Sequence, residues 1–164
     1  MNNQPTTEEQ VYNVVFVSGT KDMSEKIFIQ YYVPVLQVLI NEFPDIYFVL
    51  SDDDGCAVMT QLFLKHVLKD KTKVTIFGCN KTKPKNFADK DFLYSGDFKT
   101  IEERNAAMTR ASNLDVHYLI KGKGRTECAK NICRRYDLDY DYEKYYNASH
   151  PFWSTMAILN KINQ

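Results

Sequence analysis

The chain has 164 residues, 44% hydrophobic and 26% charged, enough for one compact domain with a core and short for two. Lys plus Arg and Asp plus Glu balance at 21 each, so no net field draws the protein to nucleic acid or an anionic membrane. No apolar run reaches the roughly 18 residues that span a bilayer, and the polar opening MNNQPTTEEQ lacks the basic start and apolar stretch of a signal peptide.

Residues 1–10 are therefore expected to be a flexible leader. Cys56, Cys79, Cys128 and Cys133 contain no C-x-x-C pair, and Cys128 and Cys133 are too far apart on a predicted helix to share a face. They read as small buried hydrophobes in a reducing compartment, and the expected location is cytoplasmic. Asn147-Ala148-Ser149 matches a glycosylation acceptor, but without a secretory signal the match is expected to be chance.

Residues 11–17 (VYNVVFV) form a near-continuous apolar, β-branched run that stops at Ser18-Gly19, as a strand buried on both faces of a parallel sheet would. Asp22 or Ser24 can cap the helix that follows, in which Ile27, Tyr31, Val35, Val38 and Leu39 recur at helical spacing. Pro34 interrupts that pattern and predicts a kink or two abutting helices. Residues 46–50 (IYFVL) predict a second strand, 56–68 a helix, and 73–77 (KVTIF) a third strand closed by Gly78. From 79 to 100 the chain is polar with little periodicity, and a loop of that length in a compact domain suggests a lid, a binding loop or disorder. A helix from about Ile101, a fourth strand over 116–120 and a helix over 126–136 follow.

Strands alternating with helices predict an α/β domain over residues 11–146: a three-layer αβα arrangement with a parallel sheet in core strand order 3-2-1-4. Residues 147–164 predict a C-terminal helix with Phe152, Trp153, Met156 and Leu159 as its apolar stripe. It either packs on the domain or lies at a subunit interface, and a homo-oligomer, such as a homodimer, is expected.

The predicted order places two loops across one crevice, Ser18-Gly19-Thr20-Lys21 after the first strand and Lys121–Glu127 after the fourth. Lys121, Lys123 and Arg125 surround Gly122 and Gly124 and lead through Thr126 into a helix N-terminus, a composition that suits anion binding or a solvated turn. Arg104 could grip a carboxylate or phosphate with its planar fork, or pair with Glu102, Glu103 or the cluster Asp52-Asp53-Asp54. That cluster, followed by Gly55, could hold a cation, touch ribose hydroxyls through Asp52 or Asp54, or simply cap a helix. Glu127 reads either as a general acid–base group or as a first-turn residue favoured by the helix dipole. His66, His117 and His150 share no ligand spacing, so neither a metal nor another cofactor is expected.

Through SGTKDMSEKIFIQYYVP, SDDDGCA, FKTIEERNAAMTRASNLDV and AKNICRR, the chain resembles the SLOG superfamily. This Rossmann-like nucleotide-binding group includes the Lonely-Guy phosphoribohydrolases and the DNA-processing A proteins, and the resemblance spans about residues 14 to 135. It implies a Rossmann-like fold, a nucleotide-like small-molecule partner and an Arg104 that helps line the site. Departures are visible: Thr20 and Tyr31 stand where a little-described bacterial branch has His, Asn105 where it has Asp, and Glu127-Cys128 where it has Gly-Thr. The Lonely-Guy motif is missing, with no proline in the loop and Asn131 where its working Glu would fall.

Three functions are expected in competition. One is a binding module for a nucleotide or nucleotide-derived ligand. The second is a hydrolase or transferase acting at an N-glycosidic bond, with Glu127 or Asp52 as its carboxylate. The third is a protein-interaction module that works through the tyrosine-rich C-terminal segment.

Overall fold

The computed structural model describes residues 13–118 and 127–137. Strand β1 (Asn13–Val17) is followed by α1 (Glu25–Ile27), a π-helical turn (Phe28–Tyr32) and α2 (Val33–Glu42). Next come β2 (Ile46–Ser51), α3 (Cys56–Val67), a short 3-10 turn (Lys71–Lys73) and β3 (Val74–Phe77). Then β4 (Leu93–Ser95), α4 (Ile101–Arg110), β5 (Leu114–Val116) and α5 (Glu127–Tyr136) complete the domain.

One sheet in the order β4-β3-β2-β1-β5 holds all five strands, and every neighbouring pair is parallel. This is a Rossmann-like α/β arrangement, and its core matches the predicted order 3-2-1-4 once β5 is counted as the fourth strand. Successive side chains of β1 point to opposite faces. Val15 and Val17 enter the larger core with Phe28, Leu36, Leu39 and Leu64, whereas Phe16 packs on the other side with Val49, Phe77 and Met108. Both faces are thus apolar, which is why this strand reads as a continuous hydrophobic run.

Ser24 caps the first helix by accepting a hydrogen bond from the Ile27 amide at 3.2 Å. The break predicted from Pro34 is a π-helical turn, in which the Val33 amide bonds the Phe28 carbonyl five residues back. A proline here has no N–H to give and would crowd the carbonyl four residues earlier, so the wider turn relieves both problems. It also buries Tyr32 almost completely. The Tyr32 hydroxyl donates to the Ser18 carbonyl and accepts from the Tyr118 amide, each at 2.8 Å. The π-helical turn therefore ties the exit of β1 to the exit of β5.

Two expectations are corrected. Residues 79–100 are not one unstructured loop, because β4 pairs with β3 along Thr75↔Leu93 to Phe77↔Ser95. Three residues are too few to carry a visible alternation. The loop before β4 is pinned to α3: Gln61 accepts from the Ala88 amide at 2.9 Å and donates to the Asn86 carbonyl at 3.1 Å. Secondly, β5 covers Leu114–Val116 rather than 116–120. Its Asp115 hides the strand pattern, because this carboxylate is buried and held in a fork by Arg135 at 2.8 and 2.9 Å. Residues 138–164, with the predicted C-terminal helix, lie outside the described residues. Among the described residues, no helix is long and apolar enough to cross a membrane.

His117 directly follows β5 and is fully buried. Burial pushes its pKa down to about 4, with nearby Asp115 opposing the shift. The folded protein keeps this imidazole neutral, whereas the unfolded chain takes up a proton near pH 6.5. Its contribution to stability is therefore complete above pH 6.5 and is lost as the pH falls toward 4. Urea titrations at pH 7.5 and 5 should show the wild type losing about 2 kcal/mol more stability over that interval than His117→Asn, at about 1.4 kcal/mol per pH unit. Equal losses in the two proteins would show that His117 does not control this pH range.

Candidate ligand-binding cleft

β1 has β2 on one side and β5 on the other, so the chain leaves the carboxyl edge of the sheet in opposite directions at this point. Between the diverging segments lies a cleft of about 260 Å³. Ser18–Asp22 form one wall, Ser51, Asp53 and Asp54 another, and Asn105 and Met108 of α4 face Glu127 at the start of α5. Loops at such a switch point cannot close over each other, which leaves room for a ligand.

Close approach of backbone shapes the first wall. A Cβ on Gly19 would lie 2.6 Å from both Cβ and Sγ of Cys56, so only glycine fits between β1 and the entrance to α3. Gly55 has φ +73, and a Cβ there would strike the Lys21 carbonyl. The Cys56 amide, first in α3, donates to the Thr20 carbonyl at 3.1 Å. Of the predicted ligand-binding residues in this region, Ser18, Gly19, Thr20, Lys21 and Asp54 line the cleft, while Gly55 shapes the wall from behind. Burial pushes the Cys56 thiol up to about 12, so it stays protonated at neutral pH and is a poor nucleophile.

The acidic cluster is divided by Arg104. This guanidinium, 3% exposed, bonds Asp52 Oδ1 through Nη1 at 3.1 Å and Asp53 Oδ2 through Nη2 at 2.8 Å. Its Nε donates to Asn105 Oδ1 at 3.0 Å. Of the two readings of Arg104, the structure forms the ion pair with the aspartates. Asp52 is equally committed: its other oxygen accepts from the Lys85 amide at 2.8 Å, and the residue faces an adjacent groove with Arg104 and Lys85. Lys21 approaches Asp53 to 3.8 Å, and Lys85 bonds Asp54 at 2.9 Å. Hydrogen bonds from Lys85 and Asn86 hold the Asp54 carboxyl below its usual range.

Glu127 borders the cleft with its side chain one-third exposed, 3.3 Å from Lys130 and 3.6 Å from Arg134. Its enclosed Oε2 makes the contact with Arg134 and accepts no hydrogen bond from the described residues. Two further enclosed polar atoms belong to cleft residues and have no hydrogen-bond partner among the described residues, Thr20 Oγ1 and Asn105 Nδ2. Asn105 is absent from the site predicted by sequence. The available signal was its position three residues before Met108, a polar side chain on the inward face of α4.

Asn131 is fully buried, accepting from Thr109 Oγ1 at 2.7 Å and donating to Asp115 Oδ1 at 2.8 Å. It braces α5 against α4 and β5. Lys121, Gly122, Gly124, Arg125 and Thr126 lie outside the described residues. Among the described residues, no group of three or more His, Cys, Asp or Glu side chains is arranged to hold a metal ion.

Comparisons with protein-family models, with curated proteins and with solved structures find no match.

Replacing Arg104 by Met would leave Asp52 and Asp53 without their shared cation. Breaking a buried ion pair from one side costs about 3–5 kcal/mol. Chemical denaturation of Arg104→Met at pH 7 should show a loss of that order, and a loss below about 1 kcal/mol would mean that water reaches these carboxylates.

Proposed function

We propose that the protein binds a nucleotide or nucleotide-derived ligand in the cleft at the carboxyl edge of its parallel sheet. The observation that carries this reading is the pair of enclosed polar atoms at the switch point that have no hydrogen-bond partner among the described residues: Thr20 Oγ1 and Asn105 Nδ2. A buried polar group without a hydrogen bond costs about 1–3 kcal/mol, a cost that a ligand bearing complementary groups would offset. The volume of about 260 Å³ suits a nucleoside-sized group rather than a whole dinucleotide. In sequence, Lys121, Lys123 and Arg125 join Tyr118 to Glu127, so cations for a phosphate belong to the stretch that enters α5.

Glu127 favours a second reading, hydrolysis or transfer at an N-glycosidic bond. Its side chain borders the cleft and is one-third exposed, so this carboxylate could act as nucleophile or base at a sugar carbon. Asp52, the other candidate, has both oxygens engaged by Arg104 and the Lys85 amide.

A thermal-shift screen of nucleosides, mononucleotides and dinucleotides tests the binding reading. At a ligand concentration 100 times Kd the expected stabilisation is about 2.7 kcal/mol, a rise of several degrees in melting temperature. No shift with any nucleotide would remove the proposal. If a bound nucleotide is cleaved, Glu127→Gln should keep its affinity and lose turnover by at least about 100-fold. Unchanged turnover would exclude Glu127 as the catalytic group.

A further inference from the structure

Resting on the nucleotide reading above, the geometry points to Asn105 as the residue that selects the ligand, by donating a hydrogen bond to an acceptor on its uncharged nucleoside part. Asn105 lines the cleft and is 2% exposed. The orientation of its amide follows from chemistry. Arg104 Nε can only donate, so the Asn105 atom 3.0 Å away must be the carbonyl oxygen. That leaves Nδ2, which has no hydrogen-bond partner among the described residues. Arg104 is itself clamped by Asp52 and Asp53, so the amide is held before any ligand arrives.

The hydrogen-bonding groups left over on the walls argue for an uncharged group at this position. Asp53 faces Arg104 and Lys21, Asp54 faces Lys85, and Glu127 faces Lys130 and Arg134. Each of these carboxylates is thus already paired with at least one cation. What remains unsatisfied among the described residues is hydrogen-bonding capacity: an amide N–H from Asn105 and a hydroxyl from Thr20. An amide donor and a hydroxyl, which both donates and accepts, suit a group that carries acceptors together with N–H or O–H donors. Phe16, Ala57 and Met108 supply the apolar contact a base or sugar ring needs. A nucleobase edge or a ribose has that composition, and a bare phosphate does not. Asp at position 105 would still accept from Arg104 Nε but would offer the ligand no donor.

Isothermal titration of the full chain tests this assignment, with adenosine, guanosine, cytidine and uridine, their 5′-monophosphates, and inorganic phosphate as probes. The proteins are wild type, Asn105→Asp and Thr20→Val. At least one nucleoside should bind wild type, and Asn105→Asp should weaken that nucleoside and its monophosphate by the same factor, about tenfold. Thr20→Val should weaken both about threefold or more, and it decides alone if Asn105→Asp fails to fold. Wild-type affinity in a folded Asn105→Asp, or in Thr20→Val when that variant decides, overturns the Asn105 assignment and leaves nucleotide binding standing. Inorganic phosphate or monophosphates binding without any nucleoside would also overturn it alone. If no probe binds wild type, both readings fall together.

Discussion

A single guanidinium, buried between the end of β2 and the start of α4, organises the cleft. Arg104 takes Asp52 with one nitrogen, Asp53 with another and the Asn105 carbonyl oxygen with its third. Removing such a charge from water is expensive, and only the opposing carboxylates and a well-formed hydrogen-bond set compensate. The geometry has a second effect. Asp52 is turned toward the neighbouring groove, Asp53 stays at the cleft, and the Asn105 amide is fixed with its donor unspent. A lysine could neutralise one aspartate, but it has no planar fork to hold three partners in fixed directions.

Tyr32 gives the site its second point of rigidity. The π-helical turn before Pro34 brings this hydroxyl to the Ser18 carbonyl and the Tyr118 amide, while Tyr31 stacks on the Tyr118 ring with centroids 4.3 Å apart. Strand exits that neighbour each other only at the edge of the sheet are thereby fixed from below. On the far side, Arg135 grips Asp115 and also bonds the Thr109 and Ser112 carbonyls, which draws α5 onto α4 and β5. Glu127, at the head of the same helix, is placed at the cleft by interactions two turns away.

Much of the architecture was legible because local pattern and tertiary demand agree. The apolar run ending at Val17, the strand 46–50 and the helix from Cys56 each follow from burial on known faces. Pro34 announced a break, although not its π form, because nothing in the residues says which wider turn will be used. β4 was invisible: its three residues have meaning only beside Val74–Phe77. The site was harder to read for a related reason. Arg104 and Asp52 are 52 residues apart, and sequence alone offered Glu102 and Glu103 as equally good partners. The spare donor on Asn105 exists only once Arg104 has claimed the oxygen beside it, so residue type alone could not reveal it.

The short outer strand beside β3 also bears on how copies of this chain can meet. A free sheet margin offers a row of unpaired amides and carbonyls on which another polypeptide can template itself. Here the margin is Leu93–Ser95, and Tyr94 folds back to bond the Asn80 carbonyl. With only three residues, this margin presents few backbone groups to a further strand. Extension of the sheet by another polypeptide is therefore disfavoured at this margin.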